Sequence, residues 1–221
     1  IIDDINWLKI PFKRTNNQSL RTKQYSKALD YLKDKDLVYA CWLTRKEASS
    51  TLNAPHNHIS QNASLRVNDQ ELKNRKSLGL TPAWRLNIKN CLKYINSQKE
   101  KIYWEDIKQG KNLLNLDQFG DVIIARKDIL TSYHLSVTVD DNSDGVTHII
   151  RGNDLESYTN IHRLLQVLLN LRETKWFHHK LVKDTNGKRI AKRSNSKLTI
   201  KELRKNGYSA KEVIKLAKSS T

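Results

Sequence analysis

The chain has 221 residues, 38% of them hydrophobic and 29% charged, which is typical of a globular protein and excludes a disordered one. This length allows one domain or two small ones. No apolar run approaches membrane-spanning length and no signal peptide is visible, so we expect no membrane association. Two cysteines, Cys41 and Cys91, do not make a disulfide framework, so we expect a cytoplasmic protein.

The net charge of +17 is the strongest global signal. It favours a polyanionic partner, with RNA or DNA ahead of an anionic membrane. Binding of this kind depends on salt and carries no sequence specificity. Codon bias towards lysine would raise the charge in the same way, so composition alone leaves the partner open.

The chain begins at Ile1 and contains no methionine. We therefore expect either a fragment of a longer natural chain or a sequence from which methionine positions were lost. The sequence does not separate these two alternatives.

Apolar spacing predicts a first helix within residues 1–10, ended by Pro11. A long helix is expected over residues 18–35, followed by a short strand over residues 37–42. Thr44 is the expected N-cap of the next helix. Residues 55–79 are polar and lack periodicity, which predicts an irregular insertion.

The second half of the chain alternates between strand and helix patterns. Strands are expected over residues 82–88, 102–104 and 122–124, with a short helix over 88–95. Residues 133–139 alternate and are rich in β-branched side chains, which predicts a further strand.

Residues 146–150 form a continuous apolar run of the kind buried in a parallel sheet. Asn153 or Asp154 is the expected cap of a helix that continues to Leu169. Two short helices close the chain, over residues 200–204 with Thr199 as the cap and over residues 210–217 with Ser209 as the cap.

A basic loop, residues 187–193 (GKRIAKR), follows the turn signal DTNG. Four cations around a small apolar pair can hold polyphosphate, because lysine supplies a point charge and arginine a fork of donors. From charge alone, a solvated surface run is the commoner explanation.

Three segments upstream of the basic loop give it a context: residues 120–126 (GDVIIAR), 132–141 (SYHLSVTVDD) and 145–155 (GVTHIIRGNDL). In this order and spacing they resemble the second half of the catalytic domain of glutamyl-tRNA synthetases. The details look most like the short glutamyl-Q-tRNA(Asp) branch of that family. The resemblance implies an α/β fold: part of a Rossmann-like class I aminoacyl-tRNA synthetase catalytic domain, with a small irregular insertion and a short helical C-terminal segment.

The resemblance also implies four segments along the chain. Residues 1–54 match the later part of the first nucleotide-fold half, 55–82 a degenerate zinc-module-like insertion and 83–171 the second half. Residues 172–221 match the basic nucleotide loop and a short helical segment that contacts the tRNA stem. The family's first nucleotide signature, a His-x-Gly-His-type helix start, has no match in this sequence. A chain that truly began at Ile1 would therefore be expected not to activate glutamate.

Two residues match the family's glutamate pocket. Tyr133 stands at the position of the substrate-contacting tyrosine, and Arg151 at that of the arginine that helps hold glutamate. Arg151 is expected just past the end of a strand, where ligands of open α/β sheets collect. A guanidinium there suits a carboxylate bidentately.

The basic loop matches the family's second nucleotide signature, usually written Lys-Leu-Ser-Lys. The resemblance implies that ATP is bound by Arg189, Ile190, Ala191, Lys192 and Arg193. Lys192 stands at the second lysine and is the expected catalytic residue. Its charge would stabilise the triphosphate as glutamate attacks the α-phosphorus.

The family's zinc module uses a Cys-x-Cys pair and then Tyr-x-x-x-Cys. Here Cys41 matches the first thiol, but Leu43 stands at the second. Cys41 with His56 and His58 could supply three ligands. A buried cysteine and two loop histidines is the better interpretation by ligand count, so we expect no zinc and no metal site.

Two further pairs invite a metal interpretation. Asp140 and Asp141 are better explained as structural, ending a strand and bonding backbone or neighbouring cations. His178 and His179 would point two ways on a strand, so joint ligation is not expected.

By resemblance, the expected function is activation of L-glutamate with ATP and Mg²⁺, then transfer to queuosine in the anticodon of tRNA(Asp), by a monomer. One alternative is a fragment of a discriminating glutamyl-tRNA synthetase. That enzyme needs a large helical anticodon-binding domain after the basic loop, where this sequence has only residues 194–221. The other is a catalytically inactive RNA-binding remnant, which fits the charge of +17.

Overall fold

The computed structural model describes residues 1–43, 47, 67–97, 100–129, 131–183, 190 and 199–219. The chain divides into two compact units. The larger comprises Asn16–Ile149 and Ser157–Trp176, and the smaller comprises Ile1–Thr15, Ile150–Glu156 and Phe177–Thr221. Among the described helices, none is both long and apolar enough to cross a membrane.

The described helices and strands alternate along the chain. The α-helices are α1 Ile2–Trp7, α2 Thr22–Asp34, α3 Asp69–Ser77, α4 Ile88–Asn96, α5 Tyr133–Ser143, α6 Thr159–Leu168, α7 Ile200–Lys205 and α8 Ala210–Ser219. The strands are β1 Val38–Cys41, β2 Ala83–Leu86, β3 Tyr103–Asp106, β4 Gly110–Leu113, β5 Ile123–Ala125, β6 His148–Gly152 and β7 Lys175–His179. Two 3₁₀-helices span Gln18–Leu20 and Asn153–Leu155.

The strands form two sheets. The first has the order β1-β2-β5 and is antiparallel, with Val38 opposite Leu86 and Cys41 opposite Ala83. The second has the order β4-β3-β7-β6, in which β3 pairs antiparallel with β4 and parallel with β7.

The hydrophobic core of the larger unit is built by helices on the sheet β1-β2-β5. Tyr25, Leu29 and Leu32 of α2 recur at helical spacing and are buried, as are Ile88, Cys91 and Ile95 of α4. The buried face of α6 completes it with Ile161, Leu164, Leu165 and Leu168. The predictions for α1, α2, β1, β2, α4, β3 and β5 are confirmed within a few residues at their ends. The helix expected after Thr44 begins outside the described residues.

The strand predicted over residues 133–139 is wrong, because this segment is the first part of helix α5. Its buried side chains, Leu135, Ser136, Thr138 and Val139, follow helical spacing. Hydroxyl groups are satisfied within the helix: Thr138 Oγ1 donates to the carbonyl of His134 at 2.8 Å. Packing against α2 and α6 therefore outweighs the β-propensity of the segment.

The strand predicted over residues 146–150 exists as β6, but it is not buried as expected. Ile150 is 70% exposed, and β6 lies at the end of its sheet order. The predicted caps are also wrong. Asn153 and Asp154 belong to a 3₁₀-helix, and α6 starts only after Tyr158.

The irregular insertion predicted over residues 55–79 is corrected in its later part, where α3 forms; residues 55–66 lie outside the described residues. Asn68 caps α3 by accepting from the amide of Glu71 at 2.8 Å. Acidic residues lie in its first turn and basic residues in its last, which suits the helix dipole. The cap and the order of charges stabilise α3. Its sequence lacks the apolar periodicity from which a helix would have been predicted.

The structural interpretation of Asp140 is confirmed, although it lies in a helix and not at the end of a strand. Its carboxylate accepts from Gln18 Nε2 at 2.8 Å, from Tyr25 Oη at 2.8 Å and from Arg21 Nη1 at 3.3 Å. Arg21 also donates to Asp144 at 2.6 Å. This network joins α2 to α5.

Candidate active site

Tyr133 is the first residue of α5, not part of a strand. Tyr133 is 49% exposed. Its ring packs edge-on against His134 and His162, with 5.6 Å between ring centroids in each case. The start of the helix and the two imidazoles together fix where the phenol stands.

His134 and His162 form a hydrogen-bonded pair beneath Tyr133. His134 Nδ1 lies 3.0 Å from His162 Nε2, so one of these nitrogens donates and the other accepts. His162 is 3% exposed and belongs to α6, whereas His134 belongs to the first turn of α5. The pair therefore links the two helices at the point where Tyr133 emerges.

Arg151 lies inside β6, which corrects the expectation that it follows the strand. Its guanidinium Nε donates to His178 Nε2 on β7 at 3.3 Å. His178 is 7% exposed. Arginine remains charged at all physiological pH values and suits a carboxylate or phosphate ligand.

The backbone beside Arg151 is closely packed. A Cβ atom placed on Gly152 would lie 2.5 Å from Asp154 Oδ1 and 2.8 Å from Leu181 Cδ2. Any side chain at Gly152 would have to displace both groups. The site thus uses glycine here for close packing and not for an unusual backbone angle.

The basic loop falls largely outside the described residues. The structure does not describe four of its residues, so their predicted contacts with ATP stay predictions: Arg189, Ala191, Lys192 and Arg193. Ile190 is described, and its amide donates to the carbonyl of Val182 at 3.1 Å.

Tyr133 lies in the larger unit, whereas Arg151 and Ile190 lie in the smaller. The expectation that Tyr133 and Arg151 line one pocket therefore stays a prediction. The sequence analysis did not predict that His162 contacts Tyr133 or that His178 contacts Arg151. His178 carried a signal: it stands two residues after Trp176, which is fully buried on the same strand face.

No group of three or more His, Cys, Asp or Glu side chains suited to a metal ion occurs among the described residues. Cys41 is buried, as expected, while His56 and His58 lie outside the described residues. The expected absence of zinc stays a prediction.

Residues 1–218 match the family model described as class I tRNA synthetases (E and Q), catalytic domain. The chain therefore belongs to this family of ligase-type enzymes. It is 32% identical over 225 residues to the glutamyl-Q tRNA(Asp) synthetase of Rhodobacter capsulatus, covering 98% of this chain and 80% of that protein. It is 30% identical to glutamate–tRNA ligase 2 of Brucella melitensis, covering 97% of this chain and 48% of that protein, so it spans about half the length of that ligase.

Solved structures confirm the fold class. The glutamate–tRNA ligase of Elizabethkingia meningosepticum superposes with a TM-score of 0.64 at 19% identity, covering 93% of this chain and 42% of that one. The enzyme of Elizabethkingia anophelis gives a TM-score of 0.66 at 18% identity, covering 93% and 43%. The predicted Rossmann-like class I synthetase fold is thus confirmed.

Proposed function

We propose that the protein activates L-glutamate with ATP and transfers it to queuosine in the anticodon of tRNA(Asp). The observation that carries this proposal is the similarity to the Rhodobacter capsulatus protein, which extends over 98% of this chain and 80% of that one. Glutamate–tRNA ligase 2 of Brucella melitensis is matched over a smaller share of its own length, 48%. The identity is 32% to the glutamyl-Q protein and 30% to that ligase.

In the proposed reaction, the α-carboxylate oxygen of glutamate attacks the α-phosphorus of ATP. The bond between the α-phosphorus and the oxygen that bridges it to the β-phosphorus breaks. Pyrophosphate leaves, and glutamyl-adenylate forms. Arg151 binds a carboxylate of the substrate and Tyr133 supplies a hydrogen-bonding hydroxyl. Lys192, within the ATP-binding set Arg189, Ile190, Ala191, Lys192 and Arg193, stabilises the charge on the phosphates together with Mg²⁺.

The second step needs a tRNA, and the charge of the chain supports such a partner. The net charge is +17. On α8, Lys211, Lys215 and Lys218 are exposed and recur every three or four residues, while Val213 is buried. A stripe of this kind is suited to phosphate contacts. We propose that the protein acts in the cytoplasm as a monomer and without zinc.

The natural gene product is tested with radiolabelled glutamate and three RNAs: tRNA(Asp) carrying queuosine, tRNA(Asp) lacking it, and tRNA(Glu). The proposal expects label on the first RNA alone, and periodate treatment of queuosine should abolish it. Charging of tRNA(Glu) would instead establish the glutamyl-tRNA synthetase alternative. RNA binding without label on any of the three would establish the inactive remnant.

A further inference from the structure

Strand β7 presents its two histidines to different surroundings. His178 is 7% exposed and lies on the same strand face as Trp176, which is fully buried. His179 is half-buried, and its Nδ1 lies 2.8 Å from the carbonyl of Lys180. Adjacent residues of a strand point to opposite faces, so the two imidazoles do not share an environment.

The contact between Arg151 and His178 defines the state of the imidazole. Arg151 Nε donates to His178 Nε2 at 3.3 Å. A guanidinium has donors and no acceptor, so His178 Nε2 must carry a lone pair. With Nε2 accepting, the ring proton is assigned to Nδ1. His178 thus acts as a hydrogen-bond acceptor for a cation.

We propose that His178 is a positioning residue for glutamate binding, which acts through Arg151. Accepting from Nε restrains the guanidinium, whose Nη nitrogens bind a carboxylate of the substrate in this proposal. Bidentate binding of a carboxylate requires the plane of the guanidinium to be set, and holding it beforehand removes rotamer entropy that binding would otherwise cost. The close packing of Gly152 against Asp154 and Leu181 restrains the backbone of the same strand. This inference rests on the proposed function, because it takes Arg151 to bind glutamate.

The test replaces His178 in ways that keep or remove the acceptor. The side-chain oxygen of glutamine reaches about as far as Nε2 of histidine, whereas that of asparagine is too short. We expect H178N and H178L to raise the KM for glutamate about 10-fold, the cost of losing one hydrogen bond to a charged group, with an unchanged KM for ATP. H178Q should restore the KM for glutamate to nearly that of the wild type, and H179Q is the matched control that leaves both values unchanged.

If His178 had only a structural role, its replacement would change the KM for ATP as well as the KM for glutamate. Alternatively, H178Q would raise the KM for glutamate as much as H178N does. Equal effects of H178Q and H178N, or a wild-type KM for glutamate in H178L, overturn the proposal while leaving the proposed function intact. The glutamine and asparagine variants keep the test decisive if H178L does not fold.

Nitrogen-15 NMR of the histidine side chains measures the tautomer of His178, and so tests its contact with Arg151, in the absence of ATP and glutamate. His178 should show the Nδ1–H tautomer in the wild type and lose this preference in R151M. An Nε2–H tautomer in the wild type overturns the inference directly. The expected tautomer in a wild-type protein that does not bind glutamate overturns the proposed function, and with it the role of His178.

Discussion

The fold clearly changes the acidity of the Cys91 thiol. Burial, followed by the negative charge of Asp121, raises the pKa of Cys91 to about 12. The thiol also lies 3.5 Å from the carbonyl of Leu37. Because the thiolate is the nucleophile, Cys91 should be inert in the folded protein.

We predict that iodoacetamide at pH 9 modifies Cys91 of a C41A variant only after unfolding in urea. Because the folded-state pKa is raised, the contribution of this thiol to stability is complete below the ordinary pKa of 9.0 and is lost as the pH rises towards 12. Mass spectrometry of the alkylated protein checks this. Rapid modification of the folded protein at pH 9 would contradict the burial of Cys91.

The two site residues named from the sequence were found through motif resemblance, not through local chemistry. Tyr133 alone is an ordinary exposed aromatic, and Arg151 alone is an ordinary strand cation. Their partners His162 and His178 lie 29 and 27 residues further along the chain, respectively. Contacts at that separation depend on helix and strand packing, which a single sequence does not specify.

At the scale of elements, the sequence predicts best where one face is apolar. Helices α2 and α4 bury residues at helical spacing and were predicted. Helix α5 was mistaken for a strand because Val137, Thr138 and Val139 are β-branched, while the polar groups that anchor it bond to a distant helix. Helix α3 was missed because its stability comes from a cap and from charge order.

The attachment of α5 to α2 gives a prediction for stability. Burial, followed by the hydrogen bond to Asp140, raises the pKa of Tyr25. Tyr25 Oη donates to Asp140 Oδ1 at 2.8 Å. Removing the hydroxyl in Y25F should lower the free energy of unfolding by about 1.5–3 kcal/mol, the range for a hydrogen bond to a charged group.

Urea denaturation followed by circular dichroism measures this loss. The matched control is Y31F on the same helix. It also removes a hydroxyl and keeps the aromatic ring, but at a tyrosine that is 40% exposed. Equal stabilities of Y25F and wild type would mean that the network around Asp140 does not hold α5 in place.

At the scale of the whole molecule, the charge of +17 should govern RNA affinity. The logarithm of the association constant should fall linearly with the logarithm of the salt concentration, with a slope of about −0.7 to −0.9 per neutralised phosphate. Replacing Lys211, Lys215 and Lys218 by glutamine should make the slope shallower by about two to three units, if each lysine contacts one phosphate. Fluorescence anisotropy with labelled tRNA measures it, and a slope near zero in the wild type would mean that the charge serves solubility alone.

The most direct test of the account is glutamate-dependent exchange of pyrophosphate into ATP by the natural gene product without tRNA. We predict exchange with L-glutamate and not with other amino acids. K192A should slow it by about 10²–10³-fold, as expected for loss of a group that stabilises developing charge. R151A should mainly raise the KM for glutamate, because it removes a carboxylate partner. Absence of glutamate-dependent exchange, or wild-type rates in both variants, would contradict the assignment of this site.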